Sequence, residues 1–267
     1  MPASRPILLL AVLFVAATFL AWYFSWFGRG LSDADISKYL ADEKNPRHVQ
    51  HALLQVQQRM ERNDPSAKNW YPQLVALSDN PETEFRLTVA WLMGFDNKAP
   101  EFHDALWKLL NDPEPIVRRN AALALVRFED SSGREELVSV LRPYLLKAPV
   151  DGVVTSSMHE GSTIARRTLL ARIEGPDGRV VELRSPLPGR IEKIAKANGS
   201  PVKRDEDLLT INSDEQSVWE ALRGLALVGT AEDLPLIQSY ANSNEVAERV
   251  KEQAILTTQA ISHRLHR

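Results

Sequence analysis

Six histidines and no cysteine narrow the chemistry open to this chain of 267 residues. Without a thiol there is no disulfide, no thiolate nucleophile and no thiolate metal site. His48 and His51 stand three residues apart on an expected helix, a spacing that can present two ligands to a metal, but no third ligand falls in step with them. His263 and His266 repeat the spacing at the C-terminal end. His159 precedes Glu160 in a turn, where the carboxylate is expected to be solvated. Ser156 and Ser157 lie in no Gly-x-Ser-x-Gly elbow, and no Ser/His/Asp arrangement is readable. Neither a Walker loop nor a Gly-x-Gly-x-x-Gly loop occurs. Asp205, Glu206 and Asp207 sit beside Lys203 and Arg204 as a charged turn, without the spaced acidic series of a calcium loop. Trp70, Trp91, Trp107 and Trp219 fall on apolar stripes and are expected in the core. The expectation is a non-enzyme with no catalytic residue, no metal, no cofactor and no small-molecule substrate.

Composition agrees with a folded chain: 44% of residues are hydrophobic and 25% charged. The net charge of −3 gives no support to a nucleic-acid-binding surface. No run of five or six like charges marks a tail or a polybasic patch.

From Pro6 to Gly28 there is no charged residue. Ile7 to Phe27, at ~1.5 Å per residue, spans roughly the ~30 Å of a bilayer core. Trp22, Tyr23, Phe24, Trp26 and Phe27 give that segment an aromatic end. A cleaved signal peptide ending at Ala16-Ala17 would leave TFLAWYFSWF at a mature N-terminus, so an uncleaved transmembrane anchor over residues 6–28 is expected. Arg5 on one side and Arg29, Lys38 and Lys44 on the other do not decide orientation by charge. The five-residue leader and the cysteine-free remainder favour an inner-membrane protein whose bulk is periplasmic or otherwise extracytoplasmic.

Elements able to position a binding surface follow. Beyond the anchor, apolar residues recur with helical period. LLNDPEPIVRRNAALALVRF (Leu109 to Phe128) has an upstream counterpart in LVALSDNPETEFRLTVAWLMG, with Pro81/Pro113 and Arg86/Arg118 each 32 residues apart. A further copy places Pro46 another 35 residues back. Such spacing indicates stacked helix pairs. These phrases resemble HEAT repeats: Asp-Pro, then Val117-Arg118-Arg119-Asn120-Ala121-Ala122-Leu123-Ala124-Leu125. The resemblance implies a protein-interaction scaffold, with Asp112 and Arg118 bracing adjacent helices. Near the C-terminus the pattern resumes, with Gly229 as a C′ residue, Thr230 as an N-cap facing Asp233, and a last helix from Asn244 to about His263.

Between these blocks the period changes to two, over Ala148 to Asn212. The segment is internally duplicated. Pro149, Gly152 and Val154 match Pro186, Gly189 and Ile191 at an offset of 37. Gly161, Ile164, Leu170 and Ile173 match Gly199, Val202, Leu208 and Ile211 at 38. This pattern resembles the biotinyl/lipoyl-like barrel, also found in membrane fusion proteins (periplasmic adaptors). In carrier members a lysine at the central hairpin tip receives the cofactor. Here the tip is Pro176-Asp177-Gly178, and the first lysine of the segment is Lys193, so no cofactor-binding residue is assigned. The long α-hairpin usual between the two halves of an adaptor is missing, since a tight turn joins them.

The expected architecture is therefore multidomain α plus β. It comprises a transmembrane helix (6–28), HEAT-like helical repeats (31–147), an all-β biotinyl/lipoyl-like barrel (148–212) and continued helical repeats (213–267). The expected function is a membrane-anchored, non-catalytic scaffold or adaptor whose partners are proteins, themselves membrane-associated, and not nucleic acid. The alternative is an atypical membrane fusion protein assisting export or efflux.

Overall fold

A computed structural model describes residues 5–26 and 30–266. They divide into two compact units, Met1–Gln73 and Leu74–Arg267.

The first unit contains α1 (Arg5–Trp26), α2 (Asp33–Leu40), α3 (Pro46–Glu61) and a 3-10 segment (Pro65–Trp70). Ser32 caps α2 by accepting the Asp35 N–H at 3.2 Å, and Pro46 opens α3, where its missing N–H costs nothing. Ile36 and Leu40 of α2 and Val49, Leu53 and Val56 of α3 are buried, as the helical period requires. Trp70 is buried too, its Nε1–H donating to Ser37 Oγ at 2.9 Å with the Arg59 guanidinium 4.7 Å from its ring centre.

Two expectations about the N-terminus are corrected. Among the described residues, no helix is long and apolar enough to cross a membrane, which overturns both the anchor over residues 6–28 and the inner-membrane, periplasmic placement. Phe27, Gly28 and Arg29 lie outside the described residues, as do the side chains of Trp22, Tyr23, Phe24 and Trp26.

After α4 (Tyr71–Leu77), the second unit runs α5 (Thr83–Met93), α6 (Pro100–Leu109), α7 (Pro115–Val126) and α8 (Arg134–Val140). Eight strands follow, and then α9 (Glu215–Val228), α10 (Leu234–Ala241) and α11 (Glu248–Leu265). Helices α5, α7, α9 and α11 lie in one row, each against the next, while α8 packs on both α7 and α9. The strands are thus inserted between the two helices of one hairpin, and the helical core continues past them. Ala122, Val126, Leu137, Val140, Leu222, Leu225, Ile237 and Ile261 belong to one buried cluster. Burying each large side chain contributes about 1.5–3 kcal/mol, which holds α9 to α8 despite the long detour between them.

The 32-residue repeat has a repeated bracing geometry. Arg86 Nη1 donates to the carbonyls of Asn80 (2.9 Å) and Pro81 (3.0 Å). Arg118 Nη1 donates to those of Asp112 (2.9 Å) and Pro113 (3.2 Å). The side chains of Asn80 and Asp112 accept the N–H two residues on, at 2.9 and 2.8 Å, which shapes each interhelical turn. Each arginine then reaches forward, Arg86 to Asp112 (2.6 and 3.1 Å) and Arg118 to Glu136 (2.9 Å). These contacts brace neighbouring helices. A second brace closes the inserted hairpin, where Arg134 grips the buried Asp233 with two bonds of 2.8 Å. Asp233 also accepts the Thr230 N–H at 2.8 Å, as the capping pattern requires. Gly229 is extended rather than left-handed (φ −67°, ψ 156°). It is needed for space, because a Cβ there would lie 2.5 Å from the Leu225 carbonyl oxygen.

The strands are β1 (Tyr144–Lys147), β2 (Gly152–Thr155), β3 (Thr163–Ile164), β4 (Leu169–Glu174), β5 (Val180–Arg184), β6 (Gly189–Ile194), β7 (Pro201–Val202) and β8 (Asp207–Ser213). They form two open antiparallel sheets, β1-β8-β6-β3 and β5-β4-β2-β7, which corrects the expected closed barrel. The edge strands β3 and β7 are two residues long, too short to carry a ladder onward and close the sheets into a ring. The halves exchange these short strands: β3 from the first pairs with β6, and β7 from the second pairs with β2. The sequence duplication reappears bond by bond. Gly161 N–H donates to Ile191 O at 2.7 Å, and Gly199 N–H to Val154 O at 2.8 Å. Ile191 N–H reaches Ser162 O and Val154 N–H reaches Ser200 O, both at 3.0 Å. Gly161 and Gly199 share a positive φ (83° and 82°), and so do Arg167 and Asp205 (67° and 64°).

Glu84, in the first turn of α5, touches the inserted unit by pairing with Arg166 and, at 3.1 Å, with Arg167. Because these groups are partly solvated, Glu84→Gln is expected to cost no more than about 1 kcal/mol in urea unfolding while raising hydrogen exchange in the β3–β4 turn.

Candidate protein interface

The residues singled out for chemistry are held apart or occupied. His48 Nδ1 lies 2.7 Å from Asp42 Oδ2, and its ring stacks on Tyr39 at 4.2 Å. Hydrogen bonds from His48 and then Asn45 hold the Asp42 carboxyl below its ordinary range. The His51 ring lies tilted to that of Tyr39, with centroids 6.3 Å apart. His266 Nδ1 lies 2.6 Å from the Ser262 carbonyl oxygen, and the imidazole of His159 is exposed. Among the described residues, no group of three or more His, Asp or Glu could hold a metal ion.

Glu160 accepts the Ile194 N–H at 2.9 Å, and Asn198, its counterpart 38 residues on, accepts the Ser156 N–H at 3.0 Å. In the acidic cluster, Glu206 binds Lys196 Nζ (2.5 Å) and the Lys203 N–H (2.9 Å), which together hold its carboxyl low. Lys193 lies on β6, away from the β4–β5 tip. At that tip, Gly175 N–H donates to Arg179 O at 2.8 Å around Pro176, Asp177 and Gly178.

The tryptophans divide differently from expectation. Trp70 is core, but Trp91 is 44% and Trp107 54% exposed. Trp91 borders a groove of about 300 Å³ along the row α5, α7, α9. Its floor is made of small residues. Gly94 at the end of α5 meets Ala124 of α7, where an added Cβ would come within 3.1 Å of the Ala124 Cβ. Gly224 of α9 carries no side chain because one would lie 2.8 Å from Leu137 Cδ1. Backbones therefore approach closely and leave a depression walled by Trp91, Leu123 and Leu227, the last 66% exposed.

The rim is polar and ordered. Trp91 stacks edge-on against Phe95 (4.7 Å), and Arg127 lies 5.4 Å over the same Phe95 ring while donating to Gly94 O at 3.1 Å. Across the groove, Arg223 lies 4.7 Å over Trp219, whose ring Arg249 also approaches at 4.2 Å. Glu220 is the one acidic residue lining the groove, and it accepts from the Gln216 amide. The groove was hidden in the sequence because α5 is apolar nearly all round. Val89, Ala90, Leu92 and Met93 are all buried, so periodicity could not separate Trp91 from the core.

With that geometry in view, the match to known families is informative. A model for HEAT repeats matches residues 71–159, so the helices within that span are similar to HEAT repeats. HEAT repeats commonly mediate protein–protein interaction, in keeping with protein partners. The matched span runs beyond α8 into β1 and β2, where this chain leaves the helical pattern for strands. No curated protein matches the chain.

Proposed function

We propose that this protein is a non-catalytic protein-interaction scaffold whose working surface is the groove along α5, α7 and α9. One observation carries the reading. A HEAT-type row of helices holds exposed Trp91 and Leu227 over a floor of small residues, a preformed surface that orders little new chain on binding. We further propose that the inserted β unit is biotinyl/lipoyl-like and unmodified, and that it serves as a rigid second module. The exchanged short strands, the paired hydrogen bonds and the lysine-free tip at Pro176-Asp177-Gly178 support that assignment. In this reading the helical repeats occupy 31–147 and 213–267, with the β module at 148–212 between them.

The test is a photo-reactive residue placed at position 227 in the full chain, with a second at Leu256 on α11 and a third at Val153 on β2, all exposed positions. A protein cross-linked in the chain's own cells at 227 or 256, and lost at 227 on Trp91→Ala, is the expected outcome. Absence of a cross-linked protein at both helical positions would overturn the scaffold reading, and capture at 256 without 227 would overturn the groove as its working surface.

A further inference from the structure

Resting on that reading, we infer that the groove takes an acidic peptide segment of a partner, with an aliphatic or aromatic side chain seated between Trp91 and Leu227 and carboxylates engaging Arg127 and Arg223. Charge is the argument. Salt bridges neutralise Arg86, Arg118, Arg134, Arg166 and Arg172, yet neither Arg127 nor Arg223 has a carboxylate partner among the described residues. Both are exposed, and both are steadied by aromatic faces, Phe95 under Arg127 and Trp219 under Arg223. A guanidinium held on a ring still presents edge N–H groups to a carboxylate, Arg127 keeping those other than the Nη1 donor to Gly94 O, and little side-chain freedom remains to be lost on binding. Glu220, already engaged by Gln216, leaves the groove with two cations against one anion. A basic segment would meet two unneutralised arginines here, and a purely apolar one would leave them without carboxylates.

The test pans a random twelve-residue peptide library displayed on phage against the purified full chain, then measures synthetic copies of the enriched peptides by fluorescence anisotropy. Enrichment of Asp or Glu beside Leu, Ile, Phe or Trp is expected. So is a loss of about tenfold for Arg223→Glu and more for Arg127→Glu/Arg223→Glu, with Arg223→Lys between wild type and Arg223→Glu. Binding should also weaken several-fold between low and high salt. Both arginines are exposed, so unchanged melting of the variants separates lost binding from lost fold. Neutral or basic consensus peptides, binding indifferent to the charge reversals, or no enrichment at all would each overturn the inference. A partner cross-linked in cells at position 227 whose capture persists in Arg127→Glu/Arg223→Glu would leave the groove reading standing and remove the acidic assignment alone.

Discussion

Arg86→Met is expected to lower the free energy of unfolding by about 3–5 kcal/mol, because it leaves the Asp112 carboxylate buried without its cation. The Arg86 side chain is 11% exposed and that of Asp112 only 3%, and the two share bonds of 2.6 and 3.1 Å. The hydrogen bond with Asp112 raises the arginine's pKa further above its ordinary value, against the opposing effect of burial. A raised basic pKa stabilises the fold below the unfolded value and is lost only as pH climbs through the folded one, so the contribution is complete at neutral pH. The variant also abandons the carbonyls of Asn80 and Pro81. A second substitution separates the buried charge from the lost bonds. Asp112 also shapes the turn before α7 by accepting the Glu114 N–H, a task the amide of Asn80 performs one repeat earlier. Arg86→Met/Asp112→Asn should therefore recover more than half of the loss in guanidinium unfolding. If the double variant is no more stable than the single one, the uncompensated charge is not the cause.

Gly189→Ala is expected to open the β unit while sparing the helices, at a cost of about 3 kcal/mol. An added Cβ at Gly189 would fall inside 3.0 Å of the Asn212 carbonyl oxygen and of Ile211 Cγ2. The equivalent position in the first half, Gly152, meets the Glu174 carbonyl oxygen and Ile173 Cγ2 in the same way, so Gly152→Ala should cost a similar amount. In each case the obstacle includes backbone of a paired strand, which cannot turn aside as a flexible side chain could. Gly178→Ala is the control: its φ of 74° strains alanine, but nothing lies within 4 Å, so about 1 kcal/mol is expected. None of the six tryptophans lies in the strands, so fluorescence would miss the event. Hydrogen exchange read by mass spectrometry should show faster exchange for peptides from 152–213, with α5 to α7 still protected. Equal acceleration in α5 and α7 would mean that the inserted unit and the array unfold as one.

How far the sequence reaches depends on whether a pattern is local. The helical period, the 32-residue spacing of Arg86 and Arg118, and the duplicated glycines of the β unit are local regularities. Each maps directly onto a structural one, because repeated backbone needs are met by repeated residues. Val154, Ile164, Leu170 and Ile173, with their counterparts Ile191, Val202, Leu208 and Ile211, are all buried, as the duplication implies. The capping role of Asp233 was legible for the same reason, three residues from Thr230.

Other features needed the fold. Arg118 and Arg119 are neighbours in one motif, yet Arg118 bonds to Glu136 and two carbonyls. Arg119 is buried, with its Nε 3.8 Å from Glu136, and burial lowers its pKa. Adjacent positions on a helix point about 100° apart, and only packing decides which direction is interior. The apolar run of α1 suggested a span of the bilayer that the described helices do not provide. The duplication implied two matching halves, and the lengths of β3 and β7 decided that these form two open sheets and no ring. Sequence alone established stacked helices interrupted by a twofold β unit, since period and repetition are written along the chain. The groove exists only where α5, α7 and α9 come side by side. Glycine and alanine contacts at Gly94, Ala124 and Gly224 set its depth, and two arginines nearly a hundred residues apart come to face one surface.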